Sequence, residues 1–81
     1  MAAHRERRGL YLIEASAYRL SPEGKYQPRL MMTKVETTDG LPRSQSFPGL
    51  SPLFETAGAA VRYATNLGRL LIDENSPRLR V

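Results

Sequence analysis

The stretch "FETAGAAVRYATNLGRLLID", Phe54–Asp73, decides how the rest of this 81-residue chain is arranged. Thr56 is placed to cap a helix, its hydroxyl accepting one of the backbone N–H groups that a first turn leaves without a partner. The reciprocal half of a capping box is missing, because Ala59 stands where Glu or Gln would complete it. Helical spacing sets Ala57, Ala60, Val61, Ala64 and Leu67 on one face, with Arg62 and Asn66 opposite and Tyr63 at the flank. A face this rich in small residues lies close on a sheet. Gly68 suits the left-handed C′ position that ends a helix. "RLLID" (Arg69–Asp73) then reads as a short strand, with Leu70 and Ile72 on one side and Arg69, Leu71 and Asp73 on the other.

Upstream, the period changes to two. "LYLIEASAYRL" (Leu10–Leu20) alternates as a strand, and Tyr11, Ile13, Ala15 and Ala17 take the core side because Leu12, Glu14, Ser16 and Tyr18 carry the charge and the hydroxyls. "SPEGK" at 21–25 is a turn. The second strand is "YQPRLMMTKVETT" (Tyr26–Thr38), where Pro28 cannot donate to a ladder and needs an edge, a bulge or a turn on its N side. Leu30 and Met32 share one face with Lys34 and Glu36, while Met31, Thr33 and Val35 take the other. Both faces are partly apolar, so both sides of the sheet should be covered somewhere. Asp39–Gly40 is a turn signal, "RSQSF" (Arg43–Phe47) a third strand, and Pro48–Pro52 an irregular crossover to the helix. The predicted class is α+β: an antiparallel three- to four-stranded sheet with one helix packed on one face, in the order β-β-β-α-β. The domain spans 9–74, between a disordered basic arm at 1–8 and a disordered tail at 75–81.

Composition narrows the function. There is no cysteine and only one histidine, His4, which leaves no thiolate nucleophile, disulfide or His/Cys zinc set. No metal and no cofactor are expected. The apolar run at Leu10–Ile13 is broken by Glu14, too soon for a signal peptide or a bilayer helix, so a cytoplasmic location without membrane association is expected. The net charge is +4, which invites a polyanion. Most of it is terminal, with Arg5, Arg7 and Arg8 against Glu6 at the start and Arg78 and Arg80 against Glu74 at the end. Catalysis is not expected: Glu14, Glu36, Asp39, Glu55 and Asp73 are scattered without a pairing interval, and Asp39 serves the turn before Gly40. Ser44, Ser46 and Ser51 lack a nearby histidine or a G-x-S-x-G elbow, and no G-x-x-x-x-G-K loop occurs.

The signature F-x-T-x-x-x-A-x-x-Y-A-x-x-x-G-R-x-x-I-D, read from Phe54 to Asp73, resembles a small family of uncharacterised bacterial proteins with a β-β-β-α-β domain. The likeness extends over about residues 9–74, including the Tyr11–Ile13 strand, and departs where an acidic residue near the helix start is replaced by Gly58–Ala59. It implies a fold and no assigned chemistry. The layout also resembles the N-terminal, AP2-like DNA-binding modules of phage-type integrases, which place three strands before an "F-x-T" helix. Those modules set their open sheet face on DNA, which implies roles here for Tyr18, Arg29, Lys34 and Arg43. The "RLLID" strand is a departure from that pattern.

Two binding functions follow as expectations. The first is a non-enzymatic protein-interaction module that self-associates as a homodimer. An apolar set drawn from Leu30, Met31, Met32 and Val35 would be left uncovered by a single helix and form the interface. The alternative is a nucleic-acid-binding module using the open sheet face and the basic arm, with Arg5, Arg7, Arg8, Tyr18, Arg29, Lys34 and Arg43 as the candidate residues. Arg69 and Asp73, taken as sharing a strand face, read as a solvated ion pair. The two functions are separated by what the open face carries: base and tyrosine, or apolar side chains.

Overall fold

The charged N-terminal residues form a strand. In the computed structural model, which describes residues 3–19, 24–35, 37–48, 50 and 52–81, the chain runs β1 (Ala3–Arg8), β2 (Tyr11–Arg19), β3 (Tyr26–Lys34), β4 (Arg43–Phe47) and α1 (Ala57–Asp73). The strands make one antiparallel sheet in the order β1-β2-β3-β4, with α1 against one face. The class is α+β, as expected, but the order is β-β-β-β-α. Both ends of the expected scheme account for the change.

At the N-terminal end, residues 3–8 are not a loose arm. Gly9, at φ 61°, is the first of the two residues that join Arg8 to its ladder partner Tyr11. A positive φ at that position is what a two-residue hairpin turn with the right twist requires, and glycine adopts it without strain. "AHRERR" has no apolar period to betray a strand, because its two faces sort charge rather than hydrophobicity. Arg5 and Arg7 pair across to Glu14 and Leu12, while Glu6 and Arg8 pair to Ile13 and Tyr11.

At the C-terminal end, the helix does not stop at Gly68. It continues to Asp73, and the left-handed residue is Asn75 at φ 50°. The Ser76 N–H donates to the Leu71 carbonyl at 3.0 Å and the Asn75 N–H to the Ile72 carbonyl at 3.1 Å. That pair of bonds satisfies two of the last helical carbonyls in the manner of a Schellman end. "RLLID" is therefore the last part of α1, not a strand; a short apolar run does not by itself tell the two apart. The start of the helix is as expected, with the Ala59 N–H donating to Thr56 Oγ1 at 3.1 Å.

Gly68 has a different task. A Cβ placed there would lie 3.0 Å from Ile13 Cγ2, 3.2 Å from Met32 Sδ and 3.3 Å from Leu30 Cδ1. The glycine lets the helix axis approach the sheet at the point where the core is tightest. Around it, Ile13, Ala15 and Ala17 from β2 meet Leu30 and Met32 from β3, Phe47 from β4, and Ala60, Val61, Ala64 and Leu71 from α1. Buried Thr65 satisfies its hydroxyl by donating to the Val61 carbonyl at 2.8 Å.

Pro28 sits inside β3, where its missing donor is harmless. Tyr26 exchanges both of its backbone bonds with Phe54, at 2.7 and 2.9 Å, so alternate positions of β3 face that same side. β4 ends at Phe47 opposite Leu30, and Phe54 takes over opposite Tyr26. Pro28 falls in the gap between them. The tail is also held: Gln45 Nε2 donates to the Arg78 carbonyl at 2.8 Å, the Arg80 N–H donates to Gln45 Oε1 at 2.7 Å, and Leu79 packs on the core. Tyr11 Oη donates to the Val81 carbonyl at 2.8 Å. Of the expected turn at 21–25, only Gly24 and Lys25 lie among the described residues; Glu36, Gly49 and Ser51 also lie outside them. Among the described residues no helix is long and apolar enough to cross a membrane.

Candidate binding face

The ladder register fixes what the open side of the sheet presents. Side chains alternate along each strand, and the buried Ile13, Ala15, Ala17, Leu30 and Met32 point at α1. Three cross-strand rows lie on the reverse side: Ala3–Ser16–Arg29, Arg5–Glu14–Met31–Ser46 and Arg7–Leu12–Thr33–Ser44, with Tyr18 opposite Gln27 beyond them. Among the described residues this face carries Arg5, Arg7 and Arg29 with the carboxylate of Glu14, and Arg7 Nε donates to the Gly9 carbonyl at 3.2 Å. Arg5 Nε lies 3.6 Å from Glu14 Oε2, an exposed contact that is readily exchanged for another anion.

Arg29 and Tyr18 form the best-defined feature. They are diagonal neighbours on adjacent strands, within reach of a long and an aromatic side chain. The Arg29 guanidinium lies 4.3 Å above the centre of the Tyr18 ring, a cation–π contact worth about 0.5–1 kcal/mol at an exposed site. Arg29 is itself exposed. Beside it, a groove of 480 Å³ crosses the face from Ala3 and Arg5, past Ser16 and Met31, to Ser46. Met31 supplies an apolar floor, being 37 % exposed. Elsewhere on the same face Thr33 and Ser44 share a hydrogen bond of 2.9 Å.

Of the residues expected to bind nucleic acid, the structure brings Arg5, Arg7, Arg29 and Tyr18 to this one face. Arg8 does not belong with them. It projects to the helix side and holds Asp73 in a two-pronged contact, Nε to Oδ1 at 2.9 Å and Nη2 to Oδ2 at 2.8 Å. Lys34 and Arg43 pair opposite each other on the helix-side register, and Arg43 Nη2 donates to Asp39 Oδ2 at 2.8 Å. The expected interface set divides as well. Leu30 and Met32 are 3 % and 0 % exposed beneath α1, which removes them from any contact surface; Met31 is on the open face and Val35 is half-buried just past β3. The helix thus covers the more apolar side of β3, and the reverse face is chiefly polar. Ser16, Ser46 and Leu12 complete the face and were legible only once the register was known.

On the other side, β1 is fastened to α1 by charge. Arg69 Nε and Nη2 donate to the two carboxylate oxygens of Glu6 at 2.8 and 2.6 Å, and His4 Nε2 lies 2.8 Å from Glu6 Oε1. Arg69 and Asp73 therefore do not pair with each other but reach to Glu6 and Arg8, two positions apart on β1. Hydrogen bonds from Arg69, and then from His4, hold the Glu6 carboxyl far below its ordinary value, at about 2. Arg8 likewise lowers Asp73. A depressed carboxyl stabilises the fold fully above its unfolded value near 4.5 and progressively less as pH falls toward 2. Acid titration over that window is expected to weaken the fold by about 1–2 kcal/mol through Glu6, after allowing for solvent screening of an exposed partner. Thermal melts should show it: Glu6→Gln should start less stable at pH 7 and lose less between pH 5 and 2. An equal loss in the variant would assign the acid sensitivity elsewhere.

No family model, no curated protein and no solved structure matches the chain. The reading of the open face accordingly rests on its own chemistry.

Proposed function

We propose that this protein binds single-stranded nucleic acid across its open sheet face. The observation that carries the reading is the grouping of Arg5, Arg7 and Arg29 on one face, with Arg29 stacked on Tyr18 and Arg5 and Arg29 lining one groove. Arginines on a broad open surface neutralise phosphates without reading sequence. A guanidinium plane or an aromatic ring takes an unpaired base by stacking, which duplex bases are not free to offer. The hydroxyls of Ser16 and Ser46 line the same groove and supply hydrogen-bonding partners for base edges or sugar. Rows of charge and hydroxyl running across the strands suit an extended chain better than a compact ligand.

The test is fluorescence anisotropy of a labelled oligonucleotide titrated with protein at several salt concentrations. Three phosphate contacts to a single strand give a slope of about −2 for log K against log salt, and loss of Arg7 to alanine should bring the slope to about −1.4. Absence of binding to single-stranded DNA and RNA at low salt would remove the proposal.

A further inference from the structure

We propose that β4 is the seam at which a second copy of this chain adds, extending the sheet across a two-fold axis. This goes beyond the nucleic-acid reading and does not depend on it. A four-stranded sheet has two edges, and they differ in what they permit. In an antiparallel two-fold pairing, residues on one face oppose residues on the same face. For β1, each register that pairs more than three residues sets Arg5 against Arg5 or against Arg7 of the other copy. Like charges directly opposite are destabilising, so that edge is closed to its own copy.

β4 carries no such block. Tyr26 directs its backbone bonds to the β4 side. By alternation Leu30, Met32 and Lys34 do the same, and their partners Phe47, Gln45 and Arg43 face back to them. The N–H and C=O groups of Ser44 and Ser46 therefore point outward, and among the described residues no other backbone group meets them. A two-fold axis at Gln45 sets Ser44 against Ser46 of the second copy, twice, and Arg43 against Phe47. Four backbone hydrogen bonds form, and no like charges meet.

α1 lies over β1, β2 and β3, while β4 joins the core through Phe47 and is held at Gln45 by residues 78–80. Beside β4 lies a solvent-open cleft of 440 Å³ in which Ser46 and Arg78 accompany Phe47, Leu50, Tyr63 and Leu67. A second copy arriving at β4 meets that cleft on one side. On the other it joins the two open-face grooves, since each groove ends at Ser46.

Light scattering across the micromolar range tests this. The wild type is expected at twice the 9.1 kDa chain mass. Ser44→Lys with Ser46→Lys should return it to the chain mass with an unchanged circular dichroism spectrum. Ser44→Lys with Ser46→Glu should restore the dimer, because the register then sets opposite charges face to face. A wild type at chain mass throughout, or a dimer indifferent to the paired lysines, overturns the proposal. If the double-lysine variant fails to fold, amide exchange of the wild type decides: protection at Ser44 and Ser46 that rises with concentration supports the seam, and protection independent of concentration refutes it.

Discussion

Gly68→Leu should cost this protein about 3 kcal/mol of stability, enough to unfold much of a small domain at physiological temperature. The position is inside a helix, where leucine outranks glycine by about 1 kcal/mol in intrinsic propensity, so a purely local view expects a gain. Packing reverses the sign. Even the first carbon of a side chain would stand 3.0–3.3 Å from Ile13, Met32 and Leu30, and a leucine adds three more carbons beyond it. The two most deeply buried of those neighbours, Ile13 and Met32, have no free surface into which to move. Gly58 is the control. A Cβ there meets only the end of the Arg62 side chain, at 3.7 Å, so Gly58→Ala should stabilise by about 0.5–1 kcal/mol. Chemical denaturation of both variants checks the pair. If Gly68→Leu proved as stable as the wild type, the close contact between helix and sheet described above would be wrong.

Arg29→Glu should weaken oligonucleotide binding by about 2–3 kcal/mol, roughly 30- to 150-fold, while leaving the fold intact. Three effects act together. The face loses one phosphate partner, the plane stacked on Tyr18 is removed, and a carboxylate joins Glu14 on the same surface. The side chain is exposed and its backbone position in β3 is unaltered, so thermal melts should be nearly unchanged. A matching change at Arg8, on the helix side, should do the opposite: it would break the contact to Asp73 and lower stability with little effect on binding.

How much of this could be read without coordinates depends on what kind of signal each residue gives. β2 was legible because Ile13, Ala15 and Ala17 alternate with polar neighbours, and the Thr56 cap because a hydroxyl before an apolar helix face has few other uses. β1 was not, because a strand whose alternation sorts arginines from arginines carries no hydrophobic period. The helix end was misplaced for a different reason. Glycine and asparagine both serve as left-handed stops, and Gly68 comes first in the chain. Only the three-sided contact with Ile13, Leu30 and Met32 shows that it is there for closeness. The binding face was half legible: Tyr18 and Arg29 follow from alternation, but placing Arg5 and Arg7 beside them needs the β1–β2 register. Glu6 and Arg8 alternate with Arg5 and Arg7 in one charged run, yet they work on the opposite side of the sheet.

The proposed function requires the open face to meet a single nucleic-acid strand. Backbone amide shifts of the labelled protein, followed while an unstructured oligonucleotide is added at low salt, test it most directly. Arg5, Ser16, Tyr18, Arg29, Met31 and Ser46 are expected to move, Ala60, Ala64 and Gly68 in α1 are not, and Arg29→Glu should abolish the movement at the same concentrations. Shifts gathered on the helix side, or none anywhere, would contradict it.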